Sequence, residues 1–183
     1  LSPMTDLALK TNGLNHLALV CSDMARTVEF YEGLLGFPLV KTIELPVGMG
    51  QHFFFDIGGG DHLAFFWFPD APAAAPGVAS APSLPDRGDL PSAVGSMNHV
   101  AFDVDADLID EYRQRLVDAG IECTEVWNHD NSEYGLSPTV TDDVFVRSVY
   151  FFGPDGVLLE LAGWTATFGP DDVSHPPKRA GEA

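Results

Sequence analysis

The sequence predicts an α+β protein built from two tandem βαβββ modules. The first observation is a repeated strand: residues 14–20 read Leu-Asn-His-Leu-Ala-Leu-Val, and residues 97–102 read Met-Asn-His-Val-Ala-Phe. The second is that a helical pattern follows each copy and ends at a glycine, Gly36 or Gly120. The third is that each unit then continues with further apolar strands. One structural unit is therefore used twice.

The first module is predicted to span residues 13–68. Ser22 and Asp23 follow its first strand as candidate N-caps of the helix, and the apolar residues after them recur at the spacing of one helical face. That predicted stripe consists of Met24, Val28, Tyr31 and Leu35. The remaining extended segments are predicted at residues 37–45, 51–57 and 62–68.

The second module is predicted to span residues 97–166, with Asp105 and Asp107 as candidate helix caps. Its apolar stripe again has helical spacing and is followed by three extended segments. The stripe consists of Leu108, Tyr112 and Leu116, and the segments are residues 121–127, 146–152 and 157–164.

Outside the modules, the composition favours irregular structure. Residues 69–96 are rich in Pro and Ala and are predicted to be a linker. Residues 128–143 form an irregular insert in the second module, and residues 167–183 form a loosely ordered tail. The three residues before Met4 resemble the remnant of a tag, which predicts Met4 as the natural start.

The composition argues against two kinds of partner. The chain of 183 residues has a formal net charge of −18 and only nine Lys and Arg residues. Nucleic acids and anionic membranes are bound by basic side chains, so neither is expected. No apolar run approaches the roughly 20 residues that span a bilayer. Cys21 and Cys123 lack disulfide-framework or metal-type spacing, which favours a reducing cytoplasm.

Glu160 raises the question of function. It lies within an apolar segment, flanked by Leu159 and Leu161. Burial of a carboxylate is costly unless an opposite charge or a metal compensates it. The candidates are Arg147, on the preceding predicted strand, and a metal ion.

His16 and His99 occupy equivalent places in the two repeats. Each is followed two residues later by alanine, as Glu160 is, and residues two apart in a strand share a face. The small neighbour leaves room for an ion and a ligand. Two histidines and one carboxylate form the facial triad that leaves positions open on Fe(II) or Mn(II). The alternative is that both histidines are structural and that Glu160 pairs with Arg147.

These motifs resemble the vicinal oxygen chelate superfamily. The resemblance covers roughly residues 13–166 and rests on the paired Asn-His-x-Ala strands, the segment Phe30-Tyr31-x3-Leu35-Gly36-Phe37, and the ending Tyr150-x3-Pro154-x-Gly156-x3-Glu160. That group includes glyoxalase I, bleomycin-resistance proteins, fosfomycin-resistance thiol transferases, methylmalonyl-CoA epimerase and the type I extradiol ring-cleaving dioxygenases. The resemblance implies an open eight-stranded barrel around a metal, with His16, His99 and Glu160 as ligands.

Two features of the resemblance bear on the reaction. Glyoxalase I and the epimerase take a fourth ligand from the last strand of the first module, where an ungapped alignment sets Phe65 against Glu160. Phe65 cannot bind metal, and three ligands leave room for a catecholate and dioxygen. Tyr150 lies ten residues before Glu160, as in extradiol dioxygenases, where this tyrosine hydrogen-bonds the substrate hydroxyl.

His62 resembles the extradiol histidine beside the dioxygen site, although the match departs by one residue. It is expected to be a proton-transfer base, a fourth ligand or a solvent-facing turn residue; His52 and His129 are looser candidates. Strand aromatics can form a wall for a flat apolar substrate, and these are Phe53, Phe55, Phe65, Trp67, Trp127 and Phe145. The fosfomycin-resistance thiol transferases share the His-His-Glu set but bind an anionic drug through cationic residues. Lys41, Arg147 and few others could serve that purpose here, which makes this alternative the weaker one.

The sequence therefore predicts a cytoplasmic, metal-dependent enzyme most like a small extradiol dioxygenase. It would act on a catechol-like diol with O2, using Fe(II), with Mn, Zn, Ni or Co as alternative metals. Tyr150 would orient one hydroxyl, His62 would move a proton, and Phe53, Phe65, Trp67 and Arg147 would contact the substrate. The alternatives are a glyoxalase- or epimerase-like lyase or isomerase, and a bleomycin-resistance-type binding protein. A homodimer is expected.

Overall fold

The structure, a computed structural model, describes residues 8–182, so the predicted start at Met4 lies outside the described residues. The chain divides into two compact units. The first comprises residues 8–82, 92–96 and 153–157, and the second comprises residues 83–91, 97–152 and 158–182. No helix in the described part is long and apolar enough to cross a membrane.

The predicted mixed α+β class is confirmed. The first unit contains a four-stranded sheet and the second a five-stranded sheet. Residues 8–182 thus form nine strands in named sheets, one more than the eight predicted. The extra strand is the short segment Leu136–Ser137. The arrangement of both sheets as one open barrel stays a prediction.

The first unit has the strand order β1-β4-β3-β2. Its elements are β1 (His16–Cys21), α1 (Met24–Val28), β2 (Leu39–Glu44), β3 (Gln51–Asp56) and β4 (His62–Trp67). The β1–β4 pair is parallel and the other two pairs are antiparallel. A parallel pair needs a long crossover connection, which α1 and the two intervening strands supply.

Helix α1 begins at Asp23, whose carboxylate accepts a hydrogen bond from the Arg26 N–H at 3.0 Å. This bond satisfies one of the donors that a helix start leaves free. The helix continues as a wider π turn over Glu29–Leu34 and ends at Gly36, whose φ is 76°. Its buried residues are Met24, Thr27 and Tyr31, so Thr27 replaces the predicted Val28 on the inner face.

Tyr31 anchors the helix to one face of the first sheet. Its ring centroid lies 4.9 Å from that of Phe65 and 5.8 Å from that of Phe55. All three rings are almost fully buried, as is Leu63, which pairs with Phe55 in the sheet register. This face is therefore the core of the first unit, and the opposite face carries His16.

The second unit has the strand order β5-β9-β8-β6-β7. Its elements are β5 (Val100–Asp103), α2 (Ile109–Asp118), β6 (Trp127–His129), β7 (Leu136–Ser137), β8 (Val146–Phe152) and β9 (Leu158–Trp164). Strand β5 is parallel to β9, and the remaining pairs are antiparallel. The arrangement of β5, β9 and β8 therefore repeats that of β1, β4 and β3.

The strand predicted at residues 121–127 is displaced. Strand β6 begins only at Trp127 and extends into the insert that was predicted to be irregular. Upstream, Cys123 makes a single bridge to Phe151, and the Thr124 hydroxyl accepts a hydrogen bond from the Tyr150 N–H at 3.1 Å. A side chain thus takes a backbone donor that a regular ladder would use, and this interrupts the strand.

The linker residues are packed in each unit. In the first unit, Ser80 donates a hydrogen bond from its hydroxyl to the Gly156 carbonyl at 2.8 Å. In the second unit, Leu84 is 3% exposed and is followed by a 3-10 turn at Pro85–Arg87. Arg87 forms an ion pair with Glu122.

Candidate metal centre

Glu160 is held by its strand neighbours in the second unit. In the sheet register it is paired with Ala101 on β5 and with Tyr150 on β8. The residue is 6% exposed, so its carboxylate needs partners within the protein.

Those partners are His99 and Ser148. The Nε2 atom of His99 lies 3.0 Å from Oε2 of Glu160, and the Ser148 hydroxyl donates a hydrogen bond to Oε1. Burial acts to raise the pKa of Glu160, but the bonds from His99 and Ser148 outweigh it and hold this pKa below its usual value. Glu160 is therefore a buried carboxylate that is kept ionised.

Arg147 does not pair with Glu160 and is engaged elsewhere. Its guanidinium donates hydrogen bonds to the Asn128 side chain at 2.9 Å, the Ala106 carbonyl at 3.1 Å and the Asp110 carboxylate at 3.0 Å. In β8 it neighbours Ser148, so its side chain points to the opposite face of the strand. The sequence-based alternative of an Arg147–Glu160 pair was therefore wrong. The predicted contact between Arg147 and a substrate stays a prediction.

The two repeated histidines make the same local contact. Nδ1 of His16 lies 2.7 Å from Oδ1 of Asn15, and Nδ1 of His99 lies 2.9 Å from Oδ1 of Asn98. An amide oxygen only accepts hydrogen bonds, so each contact is a hydrogen bond when Nδ1 of the histidine carries a proton. In both repeats Nε2 is left for other partners.

His16 lies in the first unit, on the face of the sheet away from Tyr31. Its ring packs edge-on against Phe54, with centroids 5.3 Å apart. His62 is its direct partner in the β1–β4 register, so both side chains share this face. The register thus fixes the face of the sheet on which His62 lies, which the sequence left uncertain by one residue. The role of His62 stays open.

Among the described residues, no group of three or more His, Cys, Asp and Glu side chains is arranged to hold a metal. His99 and Glu160 meet in the second unit, whereas His16 belongs to the first unit. The predicted set of two histidines and one carboxylate therefore stays a proposal.

The first-module counterpart of Glu160 is Ala64 and not Phe65. Ala18 pairs with Ala64 in β4, as Ala101 pairs with Glu160 in β9. The ungapped alignment was one residue out, and a slip of one residue moves a side chain to the other face. The alanine side chain has no atom that can bind a metal. Like Phe65, Ala64 therefore cannot serve as a fourth ligand.

The same register decides which face of the first sheet the predicted substrate-contacting aromatic residues occupy. Phe53, Phe65 and Trp67 lie on the face opposite His16, because their register partners include Leu19 and Cys21. Phe65 is 2% exposed in the core, and the indole N–H of Trp67 donates to the Ser22 carbonyl at 3.1 Å. These three residues are therefore placed away from a site at His16.

The aromatic residues on the face of His16 are Phe54 and Phe66. Phe66 stacks on the ring of His52, with centroids 3.7 Å apart and an interplanar angle of 12°. Nε2 of His52 is buried and has no hydrogen-bond partner among the described residues. Burial, followed by the nearby His16, lowers the pKa of His52 and favours the neutral ring.

Tyr150 lies beside Glu160 on the second sheet. Its ring centroid is 5.9 Å from that of His99, and its hydroxyl lies 3.3 Å from Nε2 of His129. Burial, and then the charge of Glu160, raise the pKa of Tyr150, so its hydroxyl keeps its proton. Burial also lowers the pKa of His129, which favours a neutral acceptor.

His129 was only a loose candidate in the sequence because it lies in a segment predicted to be irregular. Its register partner is Val146, two residues from Ser148 on the same face of β8. Recognition of the short strand β6 would have placed His129 and Trp127 on this face. A cleft of about 540 Å³ lies in the first unit beside Ser22 and Trp67, on the face away from His16.

Two sheets built on the same plan, and a buried carboxylate in contact with an exposed histidine, define a two-module protein with a candidate metal centre. The chain belongs to the Glyoxalase/Bleomycin resistance protein/Dioxygenase superfamily, whose family model matches residues 13–161. The resemblance to the vicinal oxygen chelate superfamily is therefore confirmed.

Three comparisons illustrate the relationship. The chain is similar to the metallothiol transferase FosB of Shouchella clausii (strain KSM-K16), at 26% identity over 150 residues, 82% of this chain and 79% of that protein. The solved structure of SMU.1112c matches with 26% identity and a TM-score of 0.59 over 84% of this chain and 99% of that chain. A mutant of FosX from Listeria monocytogenes, complexed with Mn(II) and 1S,2S-dihydroxypropylphosphonic acid, matches with 20% identity and a TM-score of 0.54 over 85% and 95%. None of these three is named as a dioxygenase.

Proposed function

We propose that the protein is a divalent-metal enzyme of the lyase or isomerase type that binds a small molecule through neighbouring oxygen atoms. His16, His99 and Glu160 are the proposed ligands, and the metal would act as a Lewis acid on the bound oxygens. A lyase or isomerase reaction is favoured over the extradiol ring cleavage that the sequence predicted. The relatives above include a metallothiol transferase and a Mn(II)-bound FosX, and neither name implies reaction with O2.

The contact between His99 and Glu160 carries the proposal. Because Nδ1 of His99 donates to Asn98, a neutral ring would direct the Nε2 lone pair at an ionised carboxylate oxygen only 3.0 Å away. Two electron pairs at that distance repel unless a positive charge lies between them. A proton or a divalent cation meets this requirement, and a histidine and a carboxylate are ordinary ligands of such cations.

The distance also fits two ligands of one ion. Metal–nitrogen and metal–oxygen bonds of about 2.1 Å at a right angle would separate the two donors by roughly 3.0 Å. His99 and Ser148 hold the pKa of Glu160 below its usual value, so Glu160 needs no deprotonation before it binds a cation. In the second unit, His99 and Glu160 thus fit as two of the three proposed metal ligands.

The remaining residues would act on the substrate. Tyr150 keeps its proton and lies beside the proposed ligands His99 and Glu160, so its hydroxyl can donate to a substrate oxygen. His62 shares a face with His16 and is proposed to transfer a proton. With Ala64 in place of a fourth donor, three ligands leave positions for two substrate oxygens.

The charge distribution favours a substrate without a phosphonate group. Arg147 is bound by Asp110, Asn128 and Ala106, and the net charge of the chain is −18. An anionic substrate would need free cations close to the metal ligands. We therefore propose a neutral oxygen-chelating substrate, such as a 2-hydroxyketone, in preference to a fosfomycin-like compound.

Extradiol ring cleavage is the second candidate. The position of Tyr150 beside Glu160 and next to His129 favours it, because a paired tyrosine and histidine can orient a catechol hydroxyl. It would require Fe(II) and O2, whereas the first candidate requires neither.

The test begins with protein purified anaerobically and analysed for metal. About one divalent ion per chain is expected in the wild type and none in Glu160→Gln; Glu125→Gln, at an exposed glutamate, should retain it. The first candidate predicts that deuterium from D2O enters the carbon next to the carbonyl of a 2-hydroxyketone, without oxygen uptake. Oxygen uptake with catechols would support ring cleavage instead, and the absence of metal from the wild type would contradict both.

A further inference from the structure

The side-chain amide of Asn98 connects a linker carbonyl to His99. Its Nδ2 donates a hydrogen bond to the Leu90 carbonyl at 2.9 Å, and its Oδ1 lies 2.9 Å from Nδ1 of His99. Both contacts lie within the second unit, because residues 83–91 belong to it.

The Leu90 contact fixes which way the amide points. A carbonyl only accepts, so the amide nitrogen must face Leu90 and the amide oxygen must face His99. The histidine can then satisfy Oδ1 only by placing a proton on Nδ1. This leaves Nε2 as the nitrogen that faces Glu160, as a metal ligand requires.

The linker segment that carries Leu90 is itself held in place by several contacts. Leu84 is buried, Ser83 donates to the Asp89 carbonyl at 3.1 Å, and Arg87 is paired with Glu122. The carbonyl of Leu90 therefore comes from a segment that is tied down at several points, although the Leu90 side chain itself is half exposed.

We propose that Asn98 is a positioning residue for His99 and that the linker carbonyl of Leu90 holds Asn98 in its working orientation. The metal-binding consequence rests on the proposed function; the position of the proton does not. The first repeat supports the idea separately, because Asn15 makes the same contact with His16 at 2.7 Å. The linker thereby acquires a role that the sequence did not predict.

Three variants test the hydrogen bonds of Asn98 with His99 and with Leu90. Asn98→Leu removes both hydrogen bonds. Asn98→Asp keeps an oxygen that can accept from His99 and loses the donor to Leu90. Leu90→Ala keeps the carbonyl and changes only the side chain, so it is the matched control.

The direct measurement is an NMR spectrum of the histidine ring nitrogens in metal-free protein at mildly alkaline pH. A protonated Nδ1 is expected for His99 in the wild type, in Asn98→Asp and in Leu90→Ala. In Asn98→Leu we expect Nδ1 to lose the proton and Nε2 to carry one toward Glu160. An unprotonated Nδ1 in the wild type, or no change in Asn98→Leu, would overturn the inference. Should Asn98→Leu fail to fold, Asn98→Asp decides: an unprotonated Nδ1 there overturns it.

A Zn(II) titration adds a second readout. Asn98→Leu should bind Zn(II) about 10–100-fold more weakly than the wild type, as is typical when the partner of a ligating histidine is lost. Asn98→Asp should recover most of that loss, and equal affinity for all variants would contradict a positioning role. If the wild type binds no metal, the proposed function fails, while the NMR result still decides the role of Asn98.

Discussion

The Nε2 atom of His99 lies 3.0 Å from the Oε2 atom of Glu160, in a position where the carboxylate is 6% exposed. The cost of burying Glu160 is thus offset by a histidine from the repeated strand and by the hydroxyl of Ser148. The pair sits where β5 and β9 run side by side, so the fold itself brings the two residues together.

Ser148→Ala should destabilise the protein. The Ser148 hydroxyl is fully buried and donates to an ionised carboxylate, and a bond of this kind contributes about 1.5–3 kcal/mol. Urea unfolding of the metal-free protein should show a loss of free energy in that range. Ser132→Ala, at an exposed loop serine, is the control and should change stability by less than about 0.5 kcal/mol. Equal effects of both changes would show that the Ser148 contact contributes nothing.

Arg147→Met should lower stability and leave metal binding intact. The guanidinium is largely buried and makes three hydrogen bonds, so we expect a loss of about 2–3 kcal/mol in the free energy of unfolding. A double-mutant cycle with Asp110→Asn should show coupling between the two side chains. Loss of metal from Arg147→Met would instead indicate that Arg147 acts on Glu160.

Tyr150→Phe should weaken ligand binding without removing the metal. The probe is acetohydroxamic acid, a small chelator with two neighbouring oxygens, titrated calorimetrically into Zn(II)-loaded protein. Loss of one hydrogen bond of roughly 1.4 kcal/mol predicts an affinity about tenfold lower. Tyr112→Phe, on helix α2, should bind the probe like the wild type. Unchanged affinity in Tyr150→Phe would remove Tyr150 from the site.

His52→Phe should stabilise the protein. Within residues 8–182, Nε2 of His52 is buried without a hydrogen-bond partner, and phenylalanine keeps the stacked contact with Phe66 while it removes the unsatisfied nitrogen. A gain of about 1 kcal/mol in the free energy of unfolding is expected, with metal content unchanged. A clear loss of stability would show that the nitrogen has a partner that the described contacts do not include.

The sequence predicted the repeat well because the evidence was local. The Asn-His-x-Ala segments, the helix stops at Gly36 and Gly120, and the alternating strands all depend on neighbouring residues.

The face of each aromatic residue was harder to predict because it depends on strand register. The ungapped alignment set Phe65 against Glu160, whereas the strand register sets Ala64 there and places Phe53, Phe65 and Trp67 on the face opposite His16. The interruption at Thr124 was missed because a side chain, and not the backbone pattern, takes the hydrogen bond there. The Asn98–Leu90 contact joins the linker to the second module, and no periodicity reports such a contact.

The most direct test of the proposed metal centre is the metal content of His16→Ala. Wild-type protein and His16→Ala should be purified together, loaded with Zn(II), dialysed and analysed, with His175→Ala as a control at an exposed tail histidine. We expect about one ion per chain in the wild type and in His175→Ala, and a nearly complete loss in His16→Ala. Full retention of the ion by His16→Ala would contradict a site that needs both repeated histidines.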